Sequence, residues 1–517
     1  MRWTRAAATA ATLSIMLAGC GAGPSDRPVV AVERPGSGGG QTETATVQQP
    51  AKAEKPITDL SWKDCTAATL ASLDFGPAPA GLVLECADFA TPIDTAGTVL
   101  GTFRAAALRA RLPQTPADAA PLVLTSGADR SSASTLAGLA VGPNSALLAA
   151  QPIVAVDRRG IGGSQPIDCI PAQLRAVMTD LGQFGVGSDD QVGAVAGYSQ
   201  DATIACRDFL QPYEGTFDAP HAADDIEQLR KQWQVEKINL LGTGNGGKVA
   251  LSYARRYGDH LARLVLDSPE PVGADVTTMT EAAVTGAEAA LTAFAQRCKA
   301  ISCALGPDPR ATITGLMTKA STGALGDVSA ADLSTVLTGF LSSPHGDQAS
   351  RVAGFADVLA AADRGDRAPL VALATQQNAA INSDGEFVNR CTDSQQPPTP
   401  DKARELTGTW AGKYPVFGRT AAIGLMVCSA WPVSTTPPLP SELELPVLVF
   451  AGAADPVVGG AAGSVTGALG AAGARHATMT WQGWGHPVVA HSGCAQKAVT
   501  DYLAEAKLPA DGGACPA

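Results

Sequence analysis

The sequence contains no Cys-x-x-Cys pair and no cluster of histidine with cysteine, so no zinc site is expected and no cofactor is called for. It has no excess of positive charge either: 37 Lys and Arg stand against 49 Asp and Glu, a formal net charge of −12. A surface of that sign gains nothing by neutralising phosphates, so neither nucleic acid nor anionic lipid is expected as a partner. Past residue 20 no apolar run approaches ~20 residues without Gly, Pro or charge, which leaves no candidate spanning helix. Apolar side chains as such are plentiful. At 45% of 517 residues they describe a globular chain, large enough for one large domain or two ordinary ones.

The N-terminus reads as a targeting segment. Arg2 and Arg5 form a basic start, residues 6–18 are apolar, and Leu17-Ala18-Gly19-Cys20 follows. That tetrapeptide resembles a bacterial lipoprotein signal, which implies lipid on Cys20 and a protein held at the outer face of the cytoplasmic membrane. An ordinary secretory signal with a chance cysteine is the alternative. Residues 21–58 are rich in Gly, Pro, Thr, Gln and Ser, as a flexible linker is. Setting Cys20 aside leaves ten cysteines, an even number suited to an oxidising compartment. Their spacing suggests sequential pairs: Cys65 with Cys86, Cys169 with Cys206, Cys298 with Cys303, Cys391 with Cys428, and Cys494 with Cys515. Spacing alone leaves other connectivities open.

The chemistry concentrates at residues 237–251, where the apolar run Ile238 to Leu241 meets the turn Gly242-Thr243-Gly244-Asn245-Gly246-Gly247 and a helical pattern begins. Three templates compete for this strand, turn and helix. Gly242, Gly244 and Gly247 fit the dinucleotide fingerprint, with Asp267 as the ribose-binding acid. The fingerprint normally opens its domain, however, and here more than two hundred residues precede it. Gly242, Gly247 and Lys248 fit a P-loop, but Val249 stands where a hydroxyl should ligate magnesium. Gly242 to Gly246 fits the nucleophile elbow G-x-S-x-G, with Gly244 in the serine's place.

Around this stretch lie further short apolar runs, each closed by a polar loop. Residues 82–89 and 99–109 read as an antiparallel pair. The runs 121–125, 152–157, 263–267 and 446–451 read as buried strands, 477–481 as the last strand and 495–506 as the closing helix. In residues 224–233, Ile226, Leu229 and Trp233 share a helical face, and the acids fall near the expected start. Strand signals largely vanish between 271 and 445, where helices are expected. One carries Leu333, Val336, Leu337, Phe340 and Leu341 behind a Ser329 N-cap; another carries Val352, Phe355, Val358 and Leu359. Strands alternating with helices predict an α/β fold with a doubly wound, mostly parallel sheet.

The run Val156-Asp157-Arg158-Arg159-Gly160-Ile161-Gly162-Gly163-Ser164, the glycine elbow, Ala451-Gly452-Ala453-Ala454-Asp455-Pro456 and Gly485-His486 together resemble the α/β-hydrolase fold. More closely, they resemble the secreted tripeptidyl-aminopeptidase-like group, as do Cys428-Ser429-Ala430-Trp431-Pro432 and Cys494 before Tyr502-Leu503. The resemblance covers roughly residues 60–517. It implies a hydrolase core at 59–270 and 446–517, a helical cap at 271–445, and a TAP-like C-terminal module over roughly 393–517. It implies catalytic positions at Gly244 (nucleophile), Asp455 (acid) and His486 (base), in the order the fold requires. The oxyanion region would comprise Ser126, Gly127 and Asn245.

Two departures bear on activity. Gly244 offers no nucleophilic oxygen, although glycine suits the turn itself. The loop Thr125-Ser126-Gly127-Ala128-Asp129-Arg130 is not the glycine-rich loop of the family, and Asp129 would oppose a developing oxyanion. The expectation is an impaired or non-catalytic relative with a peptide or small ester as its possible ligand. The alternative is a peptidase or esterase in which His486 and Asp455 serve a displaced nucleophile, with Ser126 and Ser268 as candidates, or an activated water.

Overall fold

Stretches rich in Val, Leu and Ile form the central strands of the computed structural model, which describes residues 52–517 except 129, 143–145, 344–347, 381–382, 395, 433–438 and 461. The leader with Cys20, the linker up to residue 51, and Asp129 lie outside the described residues. The strands are β1 (Lys63–Asp64), β2 (Val83–Pro92), β3 (Thr102–Arg111), β4 (Leu122–Thr125), β5 (Ile153–Val156), β6 (Ile238–Thr243), β7 (Leu261–Asp267), β8 (Val447–Ala454), β9 (His476–Trp484) and β10 (Gly513–Cys515). They form one sheet in the order β1-β2-β3-β5-β4-β6-β7-β8-β9-β10. β1, β2 and β3 enter antiparallel, β3 pairs antiparallel with β5, and every pairing from β5 through β4 to β10 is parallel.

Alternation along the strands divides the core in two. Val123, Leu240, Leu264, Leu266, Val447 and Val449 face one layer of helices. Leu122, Leu124, Leu241, Val265, Leu448 and Phe450 face the other. Strands covered on both sides have no polar face, which is why they read as unbroken apolar runs.

Four helices flank the core strands used below: α1 (Ser132–Val141), α2 (Ala219–Trp233), α3 (Gly246–Tyr257) and, near the C-terminus, Gly493–Glu505. α2 begins earlier than its apolar face suggests. Asp218 caps it by accepting from the His221 N–H, and a proline occupies its first turn. Asp224 and Asp225 therefore lie inside the helix and serve as ion-pair partners, Asp224 for Arg256 and Asp225 for Arg159.

Between β7 and β8 the described residues form eight helices and no strand. Three matter for the site: α4 (Val276–Ala300), α5 (Ala330–Ser342) and α6 (Gln348–Asp363). Ser329 and Asp332 form the capping box that starts α5. Phe294, Leu333, Leu337 and Phe355 lie in a separate apolar core, which Val192 and Val195 join from a helix before α2. The helical layer thus draws on residues 191–210 as well as on the long insertion. The five disulfides are Cys65–Cys86, Cys169–Cys206, Cys298–Cys303, Cys391–Cys428 and Cys494–Cys515. No helix among the described residues is long and apolar enough to cross a membrane.

Candidate active site

β6 delivers the chain to Thr243, and Gly244 turns it with φ at +54°, a region that L side chains enter at a cost. The Gly244 N–H donates to the Asp267 carbonyl at 3.0 Å, and its own carbonyl accepts from the Gly247 N–H at 3.0 Å. α3 then starts at Gly246, against the end of β4. A Cβ on Gly246 would lie 2.0 Å from the Thr125 carbonyl oxygen, so only glycine lets helix and strand meet there.

The positions expected for the acid and the base follow β8 and β9. Asp455 follows β8 and is fully buried. One of its oxygens accepts from the Val457 and Val458 N–H groups at 2.9 and 3.0 Å. The other lies 2.8 Å from His486 Nδ1. With Nδ1–H donated to Asp455, a neutral His486 carries its lone pair on Nε2, as a general base requires. His486 is 2% exposed, and its backbone N–H donates to the Ser342 carbonyl at 3.0 Å, tying it to the end of α5. α4 supports the acid from the other side: a Cβ on Gly286 would lie 1.9 Å from the Asp455 carbonyl oxygen.

Asp267 supplies a second buried acid. It accepts from the Val488 and Val489 N–H groups at 3.0 and 2.8 Å and so holds the segment that follows His486. Burial pushes its carboxyl up to about 6, against the opposing pull of these N–H groups and of His486. Its role here is positioning, not the ribose contact of the dinucleotide template.

The expected oxyanion region is occupied by side-chain hydrogen bonds. Asn245 follows the elbow, and its side-chain Oδ1 accepts from the Ala128 N–H at 2.8 Å and from Arg158 Nη1 at 3.1 Å. Gly127, with φ at +62°, brings the β4 loop so close that a Cβ would lie 2.3 Å from that same oxygen. Asn245 Nδ2 donates to Glu270 at 3.1 Å, and Glu270 pairs with Lys248 at 2.7 Å. Burial works to raise the Glu270 carboxyl, but the Lys248 ammonium and these hydrogen bonds hold it below the usual range. Arg158 is anchored by Asp393 at 2.7 Å, both side chains buried. The lysine of the P-loop template is therefore one half of an ion pair.

Neither candidate serine is a poised nucleophile. The Ser126 hydroxyl donates to Thr135 and accepts from Thr243 in a buried chain. The Ser268 hydroxyl donates to Asp267. The sequence reading missed the contributions of Glu270, Arg158 and Asp393. Only Arg158 carried a signal, within the Asp157-Arg158-Arg159-Gly160 run.

The parallel sheet, the glycine elbow and the acid–base pair beyond the following strands define an α/β-hydrolase. Residues 140–315 match the family described as alpha/beta hydrolase fold, and residues 414–515 match the family described as TAP-like protein. Over those two segments the chain is similar to the α/β-hydrolase and TAP-like families. It is 27% identical over 119 residues to the tripeptidyl aminopeptidases of Streptomyces lividans and Streptomyces coelicolor. That alignment covers 23% of this chain and spans 22% of the length of each of these curated relatives. A serine hydrolase from Cycloclasticus zankles aligns with a TM-score of 0.39 at 14% identity, covering 81% of this chain and 98% of that one. An epoxide hydrolase from an endophytic Streptomyces aligns with a TM-score of 0.36 at 14% identity, covering 84% and 100%.

Proposed function

We propose that this protein is an exported, lipid-anchored α/β-hydrolase relative that binds a short peptide or small ester and does not turn it over efficiently. One observation carries the reading: the elbow position has no side-chain oxygen, and the neighbouring Ala128 N–H is already donated to Asn245 Oδ1 at 2.8 Å. Losing a triad serine leaves only ~10³–10⁴-fold acceleration, supplied by the oxyanion hole and by binding. Occupying one hole donor removes a further ~10²–10³. The peptide comes into the proposal from the names of the Streptomyces relatives, and the ester from the breadth of the fold.

The purified protein is expected to leave tripeptidyl-nitroanilides, aminoacyl-nitroanilides and short-chain nitrophenyl esters unchanged above the buffer rate, and to match His486→Ala. Wild-type turnover that His486→Ala abolishes would sink this reading. It would establish the second one, in which His486, oriented by Asp455 at 2.8 Å, activates a water or an unrecognised nucleophile. The anchor is tested separately. Cys20→Ser should move the protein from the detergent phase to the aqueous phase in Triton X-114 partitioning, and retention in detergent would reject lipid at Cys20.

A further inference from the structure

α6 carries a cation, Arg351, that has no ion-pair partner among the described residues. The Nη1 atom of Arg351 is shielded from solvent and has no hydrogen-bond partner. Among the described residues no carboxylate pairs with this side chain. Its one contact of note is aromatic: the guanidinium carbon sits 4.7 Å above the centre of the Phe340 ring. Burial alone pulls the group down to about 10. Desolvating a guanidinium costs more than one exposed or half-buried cation–π contact returns, so the arrangement is unbalanced as it stands. Elsewhere in this chain the buried Arg158 and Arg159 pair with Asp393 and Asp225, and the buried Arg263 donates to the Tyr502 and Ala262 carbonyls.

The location gives the imbalance a meaning. Phe340 stacks on Phe355 at 4.0 Å with the rings 7° from parallel, and its ring centre lies 6.2 Å from that of Trp484. Phe340 lies two residues before Ser342, and Trp484 lies two residues before His486. The hydrogen bond from His486 N–H to the Ser342 carbonyl therefore ties this aromatic shelf to the base. Phe340 and Trp484 are both half-buried, so the shelf keeps apolar surface to offer.

We propose that Arg351 is the anion-binding end of a ligand site beside His486, taking the carboxylate of a ligand whose apolar body rests on Trp484 and the edge of Phe340. A guanidinium matches a carboxylate with two parallel N–H donors, and the low-polarity surroundings strengthen that pairing. The carboxylate belongs either to the C-terminus of a short peptide or to a fatty acid. The inference rests on the reading that this site binds a ligand, but it does not require that the ligand escape hydrolysis.

Calorimetric titration of the whole protein tests it with two matched pairs: Ala-Ala-Phe against its C-terminal amide, and octanoate against octanamide. In at least one pair the acid should bind about tenfold more tightly than the amide, a preference that Arg351→Gln removes and Arg351→Lys partly restores. Which pair discriminates identifies the source of the carboxylate. Equal binding within both pairs, no binding of any probe, or a preference that survives Arg351→Gln would overturn the proposal. A second measurement needs no ligand. Replacing a half-buried cation with a shielded, unpaired Nη1 by an apolar side chain of similar length should raise Tm, so a lower Tm for Arg351→Met would also overturn it. Turnover lost in His486→Ala would reject the non-hydrolytic reading and leave the carboxylate preference standing, so the two failures are distinguishable.

Discussion

Gly244 and Asn245 act together, and restoring one without the other should not restore a working site. A serine at 244 must enter the left-handed region at φ +54°, costing roughly 1–2 kcal/mol of stability. It would also face a hole whose Ala128 donor remains on Asn245 Oδ1. Gly244→Ser/Asn245→Ala should therefore hydrolyse a nitrophenyl ester about 100-fold faster than Gly244→Ser alone, the worth of one freed hole donor. Equal rates would show that Asn245 blocks nothing. Asp267 makes a pH prediction whose sign follows from its raised carboxyl. Below the ordinary value of 3.8 the group is protonated in both folded and unfolded chains and makes no difference to stability. Between 3.8 and about 6 only the unfolded chain ionises freely, so the folded state loses ground as pH rises. The loss totals roughly 3 kcal/mol and is complete above about pH 6. Asp267→Asn lacks this titration. The stability of the wild type relative to that variant, from urea melts, should fall between pH 4 and 6.5 and then stay level. A constant offset would show that Asp267 titrates normally.

At the scale of elements, the strand ends were readable because each is a local pattern: an apolar run, then a turn. Gly244, Asp455 and His486 lie on loops at the ends of β6, β8 and β9, and it was the family resemblance, not composition, that singled them out there. The start of α2 was misjudged because Ala219, Ala222 and Ala223 are buried but carry too little apolar signal to mark a face. β10 has no apolar run at all. It exists because Gly513 to Cys515 pair with β9 and because Cys515 is tied to Cys494. The packing of the helical insertion against the core can be tested with two glycines that sequence does not distinguish. On α4, Gly286→Ala would drive a methyl group to 1.9 Å from the Asp455 carbonyl oxygen. It should destabilise by about 1–3 kcal/mol and displace the acid loop. On α6, Gly354 is exposed and a Cβ there meets nothing within 4 Å. Gly354→Ala should stabilise by up to about 1 kcal/mol, as alanine does in an open helix. Similar effects from the two variants in thermal melts would contradict the close packing of α4 on the Asp455 loop.

Across the whole molecule, what sequence could not reveal are the contacts that topology alone creates. Asn245 meets Ala128 across 117 positions, and Arg158 meets Asp393 across 235. No local pattern announces either pair, yet together they determine what fills the oxyanion region. The cysteines are the exception among distant partners, because each pair is a nearest neighbour along the chain. Their loops nevertheless differ, with separations of 37 for Cys169–Cys206 and Cys391–Cys428 but only 5 for Cys298–Cys303. The two long loops converge on one small apolar cluster with Ile167, Leu210, Val388 and Trp431, joining residues before α2 to the end of the helical insertion. If a disulfide acts by restricting the unfolded chain, opening Cys391–Cys428 with paired alanines should cost about 4 kcal/mol, and opening Cys298–Cys303 about 2. Equilibrium unfolding of the two double variants measures the difference. A larger loss at Cys298–Cys303 would mean that the core of the helical insertion depends on that link locally, and that the long loops are held by packing around Arg158 and Asp393 rather than by their cystines.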